Sequence, residues 1–93
     1  SLTKDDLYRI IDIEIEEVKK RLKEQNLEIV MAPEDKELLV EKGFDPIFGA
    51  RPLKRTIQRL LEDPLAEDII SGKFKPGVVI RAVRKGDIFG FEQ

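Results

Sequence analysis
Apolar residues recur along the first quarter of the chain at Leu7, Ile11, Ile15, Val18 and Leu22. Steps of three and four place them on one face of a helix. Ile10 and Ile13 widen that face. The opposite side carries Glu14, Glu17, Lys20, Arg21 and Glu24, with Glu17 and Arg21 in the favourable i,i+4 order. Leu2-Thr3-Lys4-Asp5-Asp6-Leu7 reads as the start: Thr3 caps the amide of Asp6, and the Asp6 carboxylate bonds back. This helix is predicted to run to about Gln25 and to stop at Asn26. Leu27 to Met31 is rich in branched residues and is predicted to be a short strand. Pro33 opens a second helix to about Lys42, with Gly43 closing it in the left-handed position. A third is predicted from Pro52 to about Glu62, with Leu53, Ile57, Leu60 and Leu61 inward and Lys54, Arg55, Gln58 and Arg59 outward. Asp63-Pro64 is expected to break the pattern, since the residue before proline disfavours helix. A fourth short helix then runs from Pro64 to Ser71 with Leu65, Ile69 and Ile70 inside. Val78 to Val83 is the clearest strand. Arg84 to Asp87 turns it back into Ile88 to Phe91, a hairpin with Phe89 and Phe91 on one face. An isolated hairpin is marginal, so Leu27 to Met31 is expected to join it. The fold class expected is α+β: about four helices and a small, mostly antiparallel sheet of two to three strands, in one domain spanning residues 1–93.

Between the second and third helices lies a stretch unlike either, Gly43-Phe44-Asp45-Pro46-Ile47-Phe48-Gly49-Ala50-Arg51-Pro52-Leu53. Gly43 and Gly49 permit positive φ, and Pro46 and Pro52 fix φ and stiffen the path. Phe44, Ile47 and Phe48 are expected to act as the loop's own apolar anchors and to pack it down. Arg51 then stands on a rigid support where Pro52 opens a helix. A cation is unfavourable at a helix N-terminus, so its placement needs a reason. The plain reading is a surface arginine paired with Asp45 or Glu34. The other is a guanidinium presented to phosphate oxygens, whose geometry its planar fork suits.

Composition narrows the chemistry. The 93 residues contain no Cys and no His, which removes thiolate chemistry, disulfides and the commonest metal ligand and general base. Charged residues make up 39% of the chain, yet 17 basic and 19 acidic residues nearly cancel, so bulk charge does not point to a polyanion. No apolar run approaches membrane-spanning length and no signal-peptide pattern opens the chain, so a cytoplasmic setting is expected. No phosphate loop of the form Gly-x-x-x-x-Gly-Lys-Ser/Thr occurs. Carboxylate pairs such as Asp5-Asp6 and Glu16-Glu17 read as solvated helix surface. The chain alone is therefore not expected to be an enzyme. Arg51, Arg55 and Arg59 fall at i, i+4 and i+8 and read as a solvated basic face, given Glu62, Asp63, Glu67 and Asp68 nearby. An alternative is a winged-helix nucleic-acid module with Pro52 to Leu61 as the recognition helix; the acidic balance argues against it.

The thirteen residues from Gly43 to Arg55 resemble the sensor-2 segment of Clp-type AAA+ ATPases of the ClpB and ClpC group. That family typically reads Gly-Tyr-Asp-Pro-x-Tyr-Gly-Ala-Arg-Pro-Leu before a basic helix. Leu2-Thr3-Lys4-Asp5-Asp6-Leu7, Leu22-Lys23-Glu24-Gln25-Asn26-Leu27 and Glu62-Asp63-Pro64-Leu65-Ala66 also fit its C-terminal small domain, in the second ATPase module. Phe44 and Phe48 stand where tyrosines are common, so any hydroxyl contact is lost. The resemblance implies a lid domain of an ATP-dependent protein unfoldase or disaggregase. In it Arg51, with Gly49 and Ala50, senses ATP or ADP with Mg bound mainly by a preceding large domain, and the first helix walls the adenine, with Ile11 the candidate because it heads the apolar face. It also implies packing against the large domains of the same and the adjacent subunit of a homo-hexamer, protein substrates, and neither nucleic acid nor membrane as a partner.

Overall fold
The structure, a computed structural model, describes residues 2–93. Helix α1 spans Lys4–Lys23. Its capping box is closed: the Thr3 side chain accepts from the Asp6 amide at 3.1 Å, and the Asp6 carboxylate accepts from the Thr3 amide at 3.0 Å. Leu7, Ile11, Ile15, Val18 and Leu22 are its buried face, as the spacing predicts. Ile13 is exposed, and Arg21 reaches Glu62 at 2.9 Å rather than Glu17 on its own helix. The helix ends where Asn26 turns left-handed at φ 58°, a conformation asparagine tolerates better than most residues. The Asn26 carbonyl accepts from the Gly77 amide at 2.7 Å, which brings the chain on either side into register.

Strand β1, Glu28–Val30, follows. It pairs parallel to β2, Val79–Lys85, which pairs antiparallel to β3, Ile88–Glu92. The sheet order is β1-β2-β3, so the third strand joins as expected, but the sheet is mixed. A parallel neighbour needs a long crossover, and here the whole helical middle of the chain supplies it. β2 extends two residues beyond its expected end, and the turn shortens to Gly86-Asp87, with Gly86 at φ 67°. Ile29, Ile80, Ala82, Phe89 and Phe91 point into the core, opposite Val79 and Ile88 on the exposed face.

Helix α2 spans Pro33–Gly43. Gly43 is its last residue, buried and without the positive φ expected of a closing glycine. It is needed for space instead. A Cβ there would lie 2.5 Å from Leu53 Cδ1, at the point where α2 crosses the next helix.

That next helical body does not break at Asp63-Pro64. α3 (Leu53–Ile57), a π turn (Gln58–Glu62) and α4 (Asp63–Ile70) follow without interruption. The Asp63 amide donates to the Gln58 carbonyl, five residues back. In an α-helix the proline ring would meet the carbonyl four residues earlier, that of Leu60, and Pro64 has no amide to donate. The wider turn just before it relieves both problems. Counted as continuous bodies, the described residues form three helices over a three-stranded sheet. Ile69 is half-buried, but Ile70 stands out in solvent at 85% exposure rather than inside.

Eighteen buried residues drawn from every element form one core cluster, among them Ile11, Leu38, Leu39, Leu53, Ile57, Leu61 and Ile80. Around it runs a strap of charges. Glu37 of α2 accepts from the Tyr8 hydroxyl and pairs with Lys4, both on α1. Lys36 pairs with Asp12 at 2.7 Å. Asp35 accepts from the Arg84 amide of β2 at 2.9 Å, and Glu41, one turn on from Glu37, pairs with the Arg84 guanidinium.

Candidate functional site
The loop from Phe44 to Pro52 is built on Asp45. Its backbone closes a small ring with Gly49, amide to carbonyl in both directions at 2.9 and 2.7 Å. Its carboxylate accepts from the amides of Ile47 at 2.7 Å and Phe48 at 3.0 Å, the turn that short acidic side chains favour. Gly49 sits at φ 65°, where a side chain is strained. The chain leaves the ring through two further turns: the Arg51 amide donates to the Phe48 carbonyl at 3.2 Å, and the Leu53 amide to the Ala50 carbonyl at 3.0 Å. Pro52 caps α3, and the Thr56 hydroxyl donates to the Lys42 carbonyl at 3.3 Å, tying the start of α3 to the end of α2.

Phe44, Ile47 and Phe48 are not core anchors. They are 41%, 83% and 57% exposed, and hydrogen bonds rather than burial make the loop stiff. The spacing of apolar residues alone cannot separate an apolar loop that packs inward from one that is stiffened and points outward.

Arg51 lies on the surface beside this loop. Its guanidinium carbon stands 5.5 Å from the centre of the Phe48 ring. Among the described residues no carboxylate pairs with it, so the pairing with Asp45 or Glu34 is not formed; the Asp45 carboxylate is engaged by its own loop. Phe48, Arg51, Pro52 and Arg55 line an open hollow of about 400 Å³. Gly49 and Ala50, which precede Arg51 in the chain, are half-buried. Lys54, Arg55 and Arg59 are exposed along the same helical body. A guanidinium so placed keeps its donors free and can take a planar or tetrahedral oxyanion.

Ile11 is placed elsewhere. It has no accessible surface and belongs to the core. The exposed apolar residue of α1 is Ile13, which lines a hollow with Glu14, Glu17, Arg21, Lys54, Gln58 and Glu62. Residues heading an apolar stripe are the ones most often buried, so choosing by the stripe alone selects a core residue. Among the described residues no group of three or more acidic side chains is placed to hold a metal ion. The hairpin is one layer of the core through Phe89 and Phe91, unlike a projecting wing. Among the described residues no helix is long and apolar enough to cross a membrane.

Comparison with known proteins agrees with this architecture. The family described as the C-terminal, D2-small domain of ClpB protein matches residues 2–82. The chaperone protein ClpB of Aquifex aeolicus is 49% identical over 90 residues, covering 97% of this chain and 9% of that protein. A homolog of the ATP-dependent Clp protease ATP-binding subunit ClpA from Porphyra purpurea is 43% identical over 89 residues, covering 94% of this chain and 11% of that protein. The ClpB of Pseudomonas putida is 43% identical over 91 residues, 96% of this chain and 11% of that protein. The chain thus spans about a tenth of the length of these relatives. Matched by the family model over residues 2–82 and by these relatives over nearly its full length, the chain belongs to the ClpB D2-small domain family.

Proposed function
We propose that this chain is the lid of the second ATPase module in a Clp-type protein unfoldase or disaggregase, and that Arg51 reads the nucleotide held by the large domain before it. The observation that carries the reading is an exposed arginine on a hydrogen-bonded loop, with no carboxylate of the described residues paired to it. Relatives named as chaperones and as ATP-binding subunits support it.

The guanidinium meets the terminal phosphate oxygens of ATP, and loss of that phosphate removes a charge-assisted contact. Gly49 and Ala50 leave room behind the arginine for close approach. Magnesium and most nucleotide contacts belong to the large domain. A base reaching this domain would meet Ile13 on the exposed side of α1, because Ile11 has no accessible surface. Because the loop is hydrogen-bonded to the start of α3, and α3 is tied to α2 by the Thr56–Lys42 bond and the Gly43–Leu53 contact, a pull on Arg51 moves the whole domain. The domain acts as one lid between its own large domain and that of the adjacent subunit in a homo-hexamer, which works on protein substrates in the cytoplasm. The exposed Phe44, Ile47 and Phe48 suit such a covered face.

The test is Arg51→Ala in the full-length protein. ATP turnover is expected to fall, by an amount equivalent to about 2–4 kcal/mol if the contact is made in the transition state. The domain should stay folded, since the Arg51 side chain is exposed. Unchanged ATP turnover together with unchanged assembly would reject the reading.

A further inference from the structure
The geometry points to Asp45 and Phe48 as positioning residues for Arg51: Asp45 locks the loop that carries Phe48, and the Phe48 ring holds the guanidinium without consuming its hydrogen-bond donors. The functional consequence rests on the proposed nucleotide reading; the positioning itself does not.

Phe48 needs an explanation that the core does not supply. It is a large aromatic residue with more than half of its surface exposed. Yet it is among the most tightly held residues of the loop. Its amide donates to the Asp45 carboxylate at 3.0 Å, and its carbonyl accepts from the Arg51 amide at 3.2 Å. The second of these bonds links the backbones of Phe48 and Arg51 directly. The ring then lies within cation–π range of the guanidinium, at 5.5 Å. A carboxylate in the same place would hold the arginine more strongly, but it would occupy the fork of N–H groups that an incoming oxyanion needs. An aromatic face attracts the cation electrostatically and leaves those N–H groups free. Asp45 serves the arrangement indirectly. It accepts two loop amides and makes no ion pair among the described residues, so its charge is spent on the loop and does not compete for Arg51.

The class of ligand follows from this. A guanidinium with its fork open and Arg55 in the same hollow suit a compact, multiply charged oxyanion such as a terminal phosphate.

Two measurements test the inference separately from the function. In this 93-residue chain, nuclear magnetic resonance reads the position of Arg51 through the ring-current shift of its Cδ protons and the mobility of its Nε–H group. The wild type should show an upfield Cδ shift. Asp45→Ala keeps the ring but should collapse that shift towards the random-coil value, while core methyl signals stay in place. Phe48→Leu should increase Nε mobility, and Phe48→Tyr should restore it. No ring-current shift in the wild type, or an undiminished one in Asp45→Ala, would overturn the assignment. In the full-length protein, Phe48→Leu and Asp45→Ala should lower kcat for ATP by about two- to fivefold, the scale of one exposed cation–π contact, with KM little changed. Phe48→Tyr should restore kcat. If Arg51→Ala lowers kcat while both other variants leave it untouched, the positioning role is wrong. If Arg51→Ala itself has no effect while the spectroscopic shifts hold, it is the nucleotide reading that fails.

Discussion

Gly43 shows how one residue type can serve a purpose its sequence context hides. A glycine after a helical run, with a lysine before it, reads as a left-handed cap. Its backbone is instead helical and its missing side chain is the point, because a Cβ would stand 2.5 Å from Leu53 Cδ1 and 3.3 Å from the Leu53 Cα. Both atoms belong to a packed helix start, so neither moves freely. Gly43→Ala should therefore destabilise the domain by about 1–3 kcal/mol, the range for overpacking, despite alanine's better helix propensity. Urea unfolding would check the sign; a neutral or stabilising result would mean that α3 can shift away at little cost. Arg51 is the opposite case. Its glycine and proline neighbours made its presentation from a stiff loop legible in the sequence, since those residues restrict the backbone by local sterics. What was not legible is the exposure of Phe44, Ile47 and Phe48, because the stiffness comes from Asp45 hydrogen bonds that composition does not reveal.

Elements were legible wherever a local rule decided them. The Thr3 and Asp6 capping box, the Leu7 to Leu22 face and the Asn26 stop all appear where the pattern places them, because each depends on residues within a few positions of one another. Thr3→Ala should remove one side of the box and cost about 1 kcal/mol, read as a lower urea midpoint with unchanged m-value. A midpoint equal to the wild type would mean that water replaces the cap without loss. The failed expectation is the break at Asp63-Pro64. The local rule about proline is sound, but it admits two solutions, ending the helix or widening it by a π turn. Packing selects the second: Leu60 and Leu61 are buried within the turn and Leu65 after it, and ending the helix would lift one of these groups out of the core. The choice lies between elements and is invisible in a window of a few residues. The same holds for the parallel pairing of β1 with β2, whose partners are some fifty residues apart (Glu28 with Val79).

At the scale of the molecule, a small core is supplemented by the charged strap around α2, and the strap makes the stability depend on acid. The Lys4 ammonium, and then the Tyr8 hydroxyl, hold the Glu37 carboxyl below the usual glutamate range. The Arg84 guanidinium does the same for Glu41, and hydrogen bonds from Thr3 lower Asp6. Each of these carboxylates is more readily ionised in the folded state than in the unfolded chain. Each therefore contributes stability that is present above the ordinary carboxylate range, about 4. That stability is lost as pH falls through the depressed folded values, because the unfolded state takes up protons first. Lys4 and Arg84 are shifted upward by the same partners, so their contributions fail only in strong alkali. All three carboxylates are close to solvent, so each effect is modest and weakened by salt. The urea midpoint should fall between pH 7 and pH 3. In the double variant Glu37→Gln with Glu41→Gln it should be lower at pH 7, and the drop on acidification should be shallower. An equally steep drop in that variant would place the acid sensitivity elsewhere, Asp6 being the next residue to change. Since the strap joins α1, α2 and β2, and the Arg51 loop follows directly on α2, weakening it loosens the support of the loop without touching the loop itself.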